Sequence, residues 1–251
     1  MKLNIENKVA LVTGGGRDIG NLISLSLASE NVAIAVNYNS SSNEANDTVS
    51  KIIKLGGRAK AYKGDVSIYS EMKRMIDSIK QDFGGIDFLI NNAGYTRVEK
   101  FISSTPEEWD KQIDVCLKGS INCCHLVIEN MIENQYGRII NIVGDSSRIG
   151  EANLAVTAAA RGGTIALSKS LAKELGRYNV TVNTISLGLV KTTHSNNEFL
   201  EKNMEKILKF YPLKRIGEAN DVAPMVTFLC SNNASWITGQ VISINGGFCM
   251  V

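Results

Sequence analysis

Proline is scarce in this chain of 251 residues, which contains only three. No low-complexity segment interrupts the sequence either. Stretches of either kind commonly mark linkers between domains. Their absence predicts a single domain over residues 1–251, and a chain of this length can bury one large hydrophobic core.

Strong charge and long apolar runs are also missing. The formal net charge is only +2, which excludes the strongly basic field with which proteins attract nucleic acids or acidic membranes. No apolar window approaches the length of a membrane span, and the first apolar run is a short segment ending in glycines rather than a signal peptide. We therefore expect a cytoplasmic protein with neither a nucleic acid nor a membrane as its partner.

The cysteines lack the spacing of a metal site or a redox pair. The chain has five, an odd number, and no CxxC motif occurs. Such thiols are usually buried and reduced in cytosolic proteins, so we predict neither a metal site nor a disulfide framework. They are Cys116, Cys123, Cys124, Cys230 and Cys249.

What the sequence does contain is a regular alternation of apolar runs and amphipathic segments. Lys8–Thr13 (KVALVT) and Val32–Asn37 (VAIAVN) are almost entirely apolar, as is typical of strands covered on both faces of a parallel sheet. Between them, Asp18–Ser29 has the apolar spacing of a helix. Seven such strands with crossover helices predict an α/β fold, a Rossmann-type doubly wound seven-stranded parallel sheet with helices on both faces.

A glycine-rich turn lies between the first predicted strand and the first predicted helix. It reads Thr13-Gly14-Gly15-Gly16-Arg17-Asp18-Ile19-Gly20. Glycines at such a junction allow backbone amides to approach a pyrophosphate, which then lies at the positive end of the helix dipole. Because the turn joins a strand to a helix, it predicts a dinucleotide site.

The turn resembles that of the short-chain dehydrogenase/reductase family, where it reads TGxxxGxG. The resemblance continues over essentially the whole chain, through Gly64-Asp65-Val66, Asn91-Asn92-Ala93-Gly94, Thr181-Val182-Asn183 and Ile237-Thr238-Gly239-Gln240 with Asn245-Gly246-Gly247. It implies that the chain binds NAD or NADP. The positions it implies for cofactor binding are Gly14, Gly16, Arg17, Asp18, Ile19, Gly20, Asn37, Ser40, Asp65, Val66, Asn91, Ala93, Gly94, Arg161 and Thr192.

Asp18 stands where the family has the middle glycine of the turn. A carboxylate beside two phosphates is unfavourable unless it turns to solvent or pairs with a cation such as Arg17; alternatively, Asp18 is a helix N-terminal residue favoured by the dipole. The end of the second strand, Asn37-Tyr38-Asn39-Ser40-Ser41, offers no carboxylate for a ribose 2′-hydroxyl, whereas Arg17 offers positive charge for a 2′-phosphate. NADP(H) is therefore the expected cofactor if a dinucleotide binds.

The catalytic tetrad of the family is not retained. Family members use an Asn in the fourth helix, a Ser after the fifth strand, and Tyr and Lys spaced as YxxxK in the fifth helix; the matching positions hold Cys116, Gly144, Thr157 and Arg161. The family's tyrosine acts as general acid and base because the nearby lysine lowers its pKa. A threonine hydroxyl is a far weaker acid, and a guanidinium keeps its proton. Ile139–Lys173 thus has the frame of an active site without its acids and bases.

Nearby polar residues offer two substitutes. The run Asp145-Ser146-Ser147-Arg148 could supply a hydroxyl beside Gly144, but such a run is more typical of a solvated loop. His194 follows the sixth strand and could act as an acid, although a lone loop histidine is more often a surface residue. The other histidine, His125, follows two vicinal cysteines.

The segment around Thr157 also resembles a narrower branch, the hydroxyacyl-CoA dehydrogenases of alicyclic and aromatic acid degradation, whose helix begins AVYAACKGG where this chain has AVTAAARGG. Some of these combine an active subunit with a degenerate sister. The family also implies a tetramer, in which Pro106–Glu133 and Leu154–Gly176 pair across a two-fold axis.

These observations predict a catalytically degenerate, non-catalytic subunit of a hetero-oligomeric NAD(P)-dependent dehydrogenase of hydroxyacyl or 3-oxoacyl thioesters, with an active sister subunit as its partner. The alternative is an unconventional NADP(H)-dependent oxidoreductase that works without the Ser-Tyr-Lys relay.

Overall fold

The fold is seen in a computed structural model, which describes residues 2–193, 195 and 197–251. The strands are β1 (Val9–Val12), β2 (Ala33–Tyr38), β3 (Ala59–Lys63), β4 (Phe88–Asn91), β5 (Gly137–Gly144), β6 (Val180–Leu187) and β7 (Val241–Ile244). All are parallel and form one sheet in the order β3-β2-β1-β4-β5-β6-β7. The predicted seven-stranded parallel sheet is confirmed.

Helices connect the strands and cover both faces of the sheet. They are α1 (Asp18–Ser29), α2 (Ser42–Lys54), α3 (Tyr69–Phe83), α4 (Pro106–Ile113), α5 (Gly119–Glu133), α6 (Ser146–Ile149), α7 (Ala155–Leu175), α8 (Asn197–Leu208) and α9 (Ala219–Cys230). Leu27 of α1 and Val226 of α9 are buried in the core on one face, and Ile76 of α3 and Val127 of α5 are buried on the other. Two apolar layers therefore enclose the sheet, as its nearly continuous apolar strands require.

The strand order reverses between β1 and β4. The chain moves outward from β1 to β2 and β3, then returns to pair β4 with the other side of β1. In open α/β sheets such a reversal leaves a crevice at the carboxyl ends of the two strands. This is where the glycine turn after β1 and the Asn-Asn-Ala-Gly motif after β4 meet.

The segment Pro106–Glu133 is not one continuous α-helix. After α4 ends at Ile113, Asp114–Lys118 forms a π-helical segment that leads directly into α5. Such wider turns are frequent at functional sites. Apolar spacing does not distinguish them from α-helix, so the sequence did not predict one here.

The polar run after β5 was expected to be a solvated loop, and that prediction is wrong. Ser146–Ile149 forms the short helix α6, and Asp145 is only 2% exposed. The carboxylate of Asp145 is buried because it accepts hydrogen bonds from the Ser186 hydroxyl at 2.5 Å and from Asn245 Nδ2 at 2.6 Å. Donors from distant parts of the chain thus replace water around this side chain.

Between β6 and α9, helix α8 spans Asn197–Leu208. His194, the candidate acid, lies outside the described residues. None of the described helices is long and apolar enough to span a membrane.

Candidate active site

A cavity of about 530 Å³ opens at the carboxyl ends of β1, β2 and β4. Twelve of the fifteen predicted cofactor residues line it, namely Gly14, Arg17, Asp18, Ile19, Asn37, Ser40, Asp65, Val66, Ala93, Gly94, Arg161 and Thr192. The fold thus brings most of the predicted residues together around one cavity. In the described part of the chain, no group of three or more His, Cys, Asp or Glu side chains could hold a metal ion.

Three predicted residues do not line the cavity but support its wall. A Cβ at Gly20 would stand 2.7 Å from Asn92 Nδ2, and one at Gly16 would stand 2.8 Å from the Ala45 backbone. These two glycines therefore allow close packing. The buried Asn91 side chain donates from Nδ2 to Asn141 Oδ1 at 2.8 Å, which ties β4 to β5 below the cavity floor.

Asn37 braces the glycine turn. Its Oδ1 accepts the Gly14 N–H at 3.3 Å, and its Nδ2 donates to the Gly64 carbonyl at 2.9 Å. Gly14 itself has a φ of 59°, a left-handed conformation that glycine adopts without strain. The buried amide of Asn37 thus links the ends of β1, β2 and β3.

Asp18 contacts the loop that follows β6. It begins α1, as one of the two predictions had it, with a φ of 49°. Its Oδ1 accepts the Thr193 N–H at 2.7 Å, and its Oδ2 accepts the Thr193 hydroxyl at 2.9 Å. Pairing with Arg17, which would have offset the charge, is not found among the described residues. The carboxylate, which lines the cavity, instead joins the glycine turn to the loop after β6.

The end of β2 is polar and carries no carboxylate. Asp65, which follows β3, faces it: Oδ2 accepts from Asn39 Nδ2 at 2.8 Å, and Oδ1 accepts the Ser67 N–H at 2.9 Å. Ser40 lies on the same part of the wall, and Arg17 supplies positive charge. This part of the cavity can therefore bind an anionic group beside a ribose.

Arg161 extends into the space between the ends of β4 and β5. Its Nη2 lies 2.9 Å from the position that a Cβ on Gly94 would take, and its Nη1 lies 3.2 Å from the corresponding position on Gly144. A serine at Gly144 would therefore crowd the guanidinium. The glycine at this position gives the arginine at position 161 the room that it needs. Arg161 is half-buried and has no hydrogen bond or ion pair to any residue that the structure describes. A cation in this state is suited to bind an oxygen of a ligand.

Thr157, at the position of the family's tyrosine, does not face the cavity. Its hydroxyl donates to Gln112 Oε1, and the two residues are 1% and 2% exposed. The threonine hydroxyl thus gives the buried amide oxygen of Gln112 a hydrogen-bond donor where α4 and α7 pack together. Thr157 therefore has a structural contact where the family has a catalytic one.

Cys116, at the position of the family's asparagine, holds the segment that follows β4. Its thiol donates to the Tyr95 carbonyl at 3.2 Å, and the Tyr95 N–H donates to Cys116 Sγ at 3.5 Å. The π-helical segment after α4 carries this cysteine. Both backbone groups of Tyr95 are thus fixed from one side chain.

Sequence reasoning missed a second group of cavity residues on this wall. Tyr95 and Lys111 line the cavity with Arg161. The Tyr95 hydroxyl donates to Glu108 Oε2 at 2.9 Å, and Lys111 Nζ lies 4.1 Å from the centre of the Tyr95 ring. The sequence did hold one indication that Tyr95 lies at the cavity, because this residue directly follows the Asn-Asn-Ala-Gly motif. Its partners on α4 were not predictable from that motif. The other unpredicted lining residues are Tyr38, Asn39, Ser41, Gly64, Asn92 and Val115.

His125 does not contribute to this arrangement. His125 Nδ1 lies 3.0 Å from the exposed Tyr69 hydroxyl, and neither residue lines the cavity.

Comparison with known proteins reveals relatives of full length. The chain is 40% identical over 247 residues to the 3-oxoacyl-(acyl-carrier-protein) reductase FabG of Staphylococcus epidermidis, covering 97% of this chain and 100% of that protein. It is 38% identical over 244 residues to the 3-oxoacyl-(acyl-carrier-protein) reductase of Synechocystis sp., with 97% of each chain covered. It is 37% identical over 242 residues to the acetoacetyl-CoA reductase of Shinella zoogloeoides, covering 96% of this chain and 98% of that protein.

These relatives contradict the prediction of a non-catalytic subunit with an active sister chain, and that prediction is wrong. Similarity to reductases at about 40% identity over nearly the full length supports an active reductase instead of a pseudoenzyme. The prediction equated the loss of four side chains with the loss of every polar donor at the site. The cavity nevertheless has cations and phenols in its wall, among them Arg161, Lys111 and Tyr95.

A solved structure described as a short-chain alcohol dehydrogenase from Sinorhizobium meliloti 1021 has the same fold, with a TM-score of 0.94 and 28% identity over 99% of this chain and 98% of that one. The model of the family described as Enoyl-(Acyl carrier protein) reductase matches residues 14–249, from the glycine turn through the positions of the relay to the last loop. By the extent of these matches, the chain belongs to the short-chain dehydrogenase/reductase family.

Proposed function

We propose that the chain is an active NADP(H)-dependent reductase that converts the 3-oxo group of an acyl thioester into a 3-hydroxyl group. The observation that carries this proposal is the 40% identity, over 97% of the chain, to a protein named 3-oxoacyl-(acyl-carrier-protein) reductase. The relative named acetoacetyl-CoA reductase supports the same class of substrate. So does the resemblance of the segment around α7 to hydroxyacyl-CoA dehydrogenases.

The residues of the cavity fit the cofactor, with one exception. The glycine turn and the positive end of α1 suit a pyrophosphate, and Arg17 with Ser40 suits a 2′-phosphate because the end of β2 has no competing carboxylate. When bound, NADPH supplies a hydride to the carbonyl carbon of the substrate. The exception is Asp18, whose negative charge lies on the pyrophosphate side of the cavity.

Arg161 is the residue that we assign to the substrate oxygen. Its guanidinium has no partner among the described residues and reaches the space beside Gly144, where the family's serine would hold that oxygen. A guanidinium offers several N–H donors in a fixed plane and stays charged. It therefore stabilises the negative charge that develops on the oxygen as the carbonyl is reduced, which is the electrostatic role of an oxyanion hole.

Spectrophotometry of NADPH oxidation with acetoacetyl-CoA tests the proposal directly. We expect turnover by the purified chain alone, a preference for NADPH over NADH, and no comparable turnover of crotonyl-CoA, which lacks the 3-oxo group. Arg161→Gln should lower kcat/KM by about 100-fold or more, the usual effect of removing one oxyanion donor.

The matched control is Arg177→Gln. Arg177 is exposed just beyond the far end of α7, over the ring of Tyr178, so its replacement should leave kcat/KM unchanged. Binding of NADPH without oxidation by acetoacetyl-CoA would refute the proposed function, and faster reduction of crotonyl-CoA would refute its assignment to a carbonyl.

We extend the proposal to a cytoplasmic location, on the basis of the thiols. All five cysteines are free, and four of them are buried. Burial raises the pKa of the Cys124 thiol to about 12 and also raises the pKa values of the Cys123 and Cys230 thiols. Thiols that stay protonated and buried are inert, as suits a protein that functions with reduced cysteines.

A further inference from the structure

We propose that Tyr95 is the proton donor of the reductase, in place of the family's missing tyrosine, with Lys111 and Glu108 as its positioning residues. The inference depends on the carbonyl reduction proposed above. It concerns residues that the family pattern does not mark, since Tyr95 lies after β4 and its two partners lie on α4.

The position of Tyr95 in the cavity is the first argument. Tyr95 directly follows Gly94, whose Cβ position is 2.9 Å from Arg161 Nη2, so its phenol and the guanidinium share one wall. Tyr38 is the other tyrosine that lines the cavity, but it ends β2, and β1 and β4 separate that strand from β5. Of these two tyrosines, Tyr95 is therefore the one that adjoins a residue in close contact with Arg161.

The charges around Tyr95 are the second argument. Lys111 Nζ lies 4.1 Å from the centre of its ring, and the hydroxyl donates to Glu108 Oε2 at 2.9 Å. An ammonium group this close stabilises the negative charge that remains when a phenol loses its proton. The hydrogen bond to Glu108 holds the phenol oxygen in place, and it is exchanged for one to the substrate oxygen when the proton is transferred. A tyrosine with a neighbouring lysine is thus restored in the cavity by residues from different elements.

The residues at the positions of the lost relay support this group. Cys116 fixes the N–H and the carbonyl of Tyr95. Thr157 donates to Gln112, and Gln112 Nε2 in turn donates to the Glu108 carbonyl at 3.2 Å. Two of the four replacements therefore lead by direct hydrogen bonds to Tyr95 or to the helix that carries its partners. This connection would be coincidental if the cavity had simply lost its function.

The proton of Tyr95 goes to the oxygen of the reduced carbonyl group. The π electron pair of the carbonyl group moves onto oxygen as the carbon is reduced, and Arg161 binds the resulting alkoxide. The O–H bond of Tyr95 breaks and a new O–H bond forms on the product oxygen, because an alkoxide is a stronger base than the Glu108 carboxylate. The phenolate lies beside the Lys111 ammonium group, which is exposed, so solvent water can return the proton to Tyr95.

The first test is Tyr95→Phe, which keeps the ring under Lys111 and removes only the hydroxyl. We expect kcat with acetoacetyl-CoA to fall by about 100-fold or more, as for the loss of a general acid, while the Kd for NADPH stays within about twofold. Tyr69→Phe is the matched control, since the Tyr69 hydroxyl bonds His125 away from the cavity. It should leave kcat unchanged.

Lys111 is tested by Lys111→Met, which keeps an apolar stem and removes the charge. We expect kcat to fall by about tenfold with KM unchanged, and Lys111→Arg to restore most of the rate because it restores the cation. Lys118→Met is the control, because Lys118 pairs with Asp114 on the same stretch of helix and does not line the cavity.

A binding measurement adds a result that does not depend on turnover. In the NADPH-bound protein, Tyr95→Phe should raise the Kd for 3-hydroxybutyryl-CoA by about fivefold, which is the effect of losing one hydrogen bond. Butyryl-CoA, which has no oxygen at C3, should bind the two proteins equally.

Three results would overturn the inference. An active wild type with an equally active Tyr95→Phe variant would exclude Tyr95 as the donor and leave the reductase function intact. If Tyr95→Phe raised the Kd of both thioesters equally, Tyr95 would contribute to packing and not to binding of the C3 oxygen. A wild type that binds NADPH but does not reduce acetoacetyl-CoA would refute the proposed function and the proton transfer with it, even if Tyr95 still distinguished the two thioesters.

Discussion

Replacing Asp18 by glycine should strengthen the binding of NADPH. Asp18 bridges the glycine turn and the loop after β6 through two hydrogen bonds to Thr193, of 2.7 and 2.9 Å. A pyrophosphate that binds the positive end of α1 has to approach the same place. We therefore expect that the cofactor must displace this carboxylate, and that its measured affinity is reduced by the free energy of the displaced contacts.

The size of the effect follows from these contacts. Both hydrogen bonds are exposed to solvent, so each contributes at most about 0.5–1 kcal/mol. Their sum of about 1–2 kcal/mol corresponds to a factor of about 5–30 in Kd. Asp18 has a φ of 49°, and glycine adopts this conformation without strain. Asp18→Gly should therefore lower the Kd for NADPH by at least about fivefold.

Fluorescence titration with NADPH at constant salt provides the assay. In Asp18→Asn the side chain has nearly the same shape, lacks the charge and can still accept from the Thr193 N–H. The gain in NADPH affinity should therefore be smaller than in Asp18→Gly. Asp47→Asn serves as the control, because Asp47 pairs with Lys51 on the exposed side of α2. An unchanged or higher Kd in Asp18→Gly would refute the reasoning, since the carboxylate would then favour the bound cofactor or play no part in its binding.

The remaining predictions concern stability and assembly. Thr157→Val should lower the free energy of unfolding by about 1–3 kcal/mol, because it leaves the buried Oε1 of Gln112 without its donor; a Tm equal to that of the wild type in calorimetry would contradict this. Arg215 lowers the pKa of the Asp221 carboxyl from 3.8 to about 2, so the stability that this carboxylate contributes is complete above about pH 4 and is lost as the pH falls through about 2. Asp221→Asn should therefore destabilise the protein at pH 7, by only about 1 kcal/mol because solvent partly screens the pair. Urea titrations at falling pH should show the difference in unfolding free energy between wild type and variant becoming smaller. The predicted tetramer remains a prediction, which sedimentation of the purified chain would check, with a monomer as the contradicting result.

The local sequence determined the architecture. Each buried strand is marked by its own apolar run, and helix α1 was predicted at Asp18–Ser29, with the bounds that it has in the structure. The glycine turn has a similarly local cause, because positive φ at Gly14 and close backbone packing at Gly20 are required within the turn itself. With the family motifs, these signals also located most of the cavity wall.

The state of each side chain at the site was decided by the tertiary structure. Thr193 lies 175 positions from Asp18 in sequence, and Asn245 lies 100 positions from Asp145. No local pattern could therefore reveal that one carboxylate bonds the loop after β6 or that the other is buried. The sequence identified four replaced positions but not what surrounds them. In the folded chain, α4 packs against α7 and withdraws Thr157, Arg161 has no partner among the described residues, and Lys111 lies over Tyr95. The chemistry of a cavity depends on distances between elements that only the folded chain brings together.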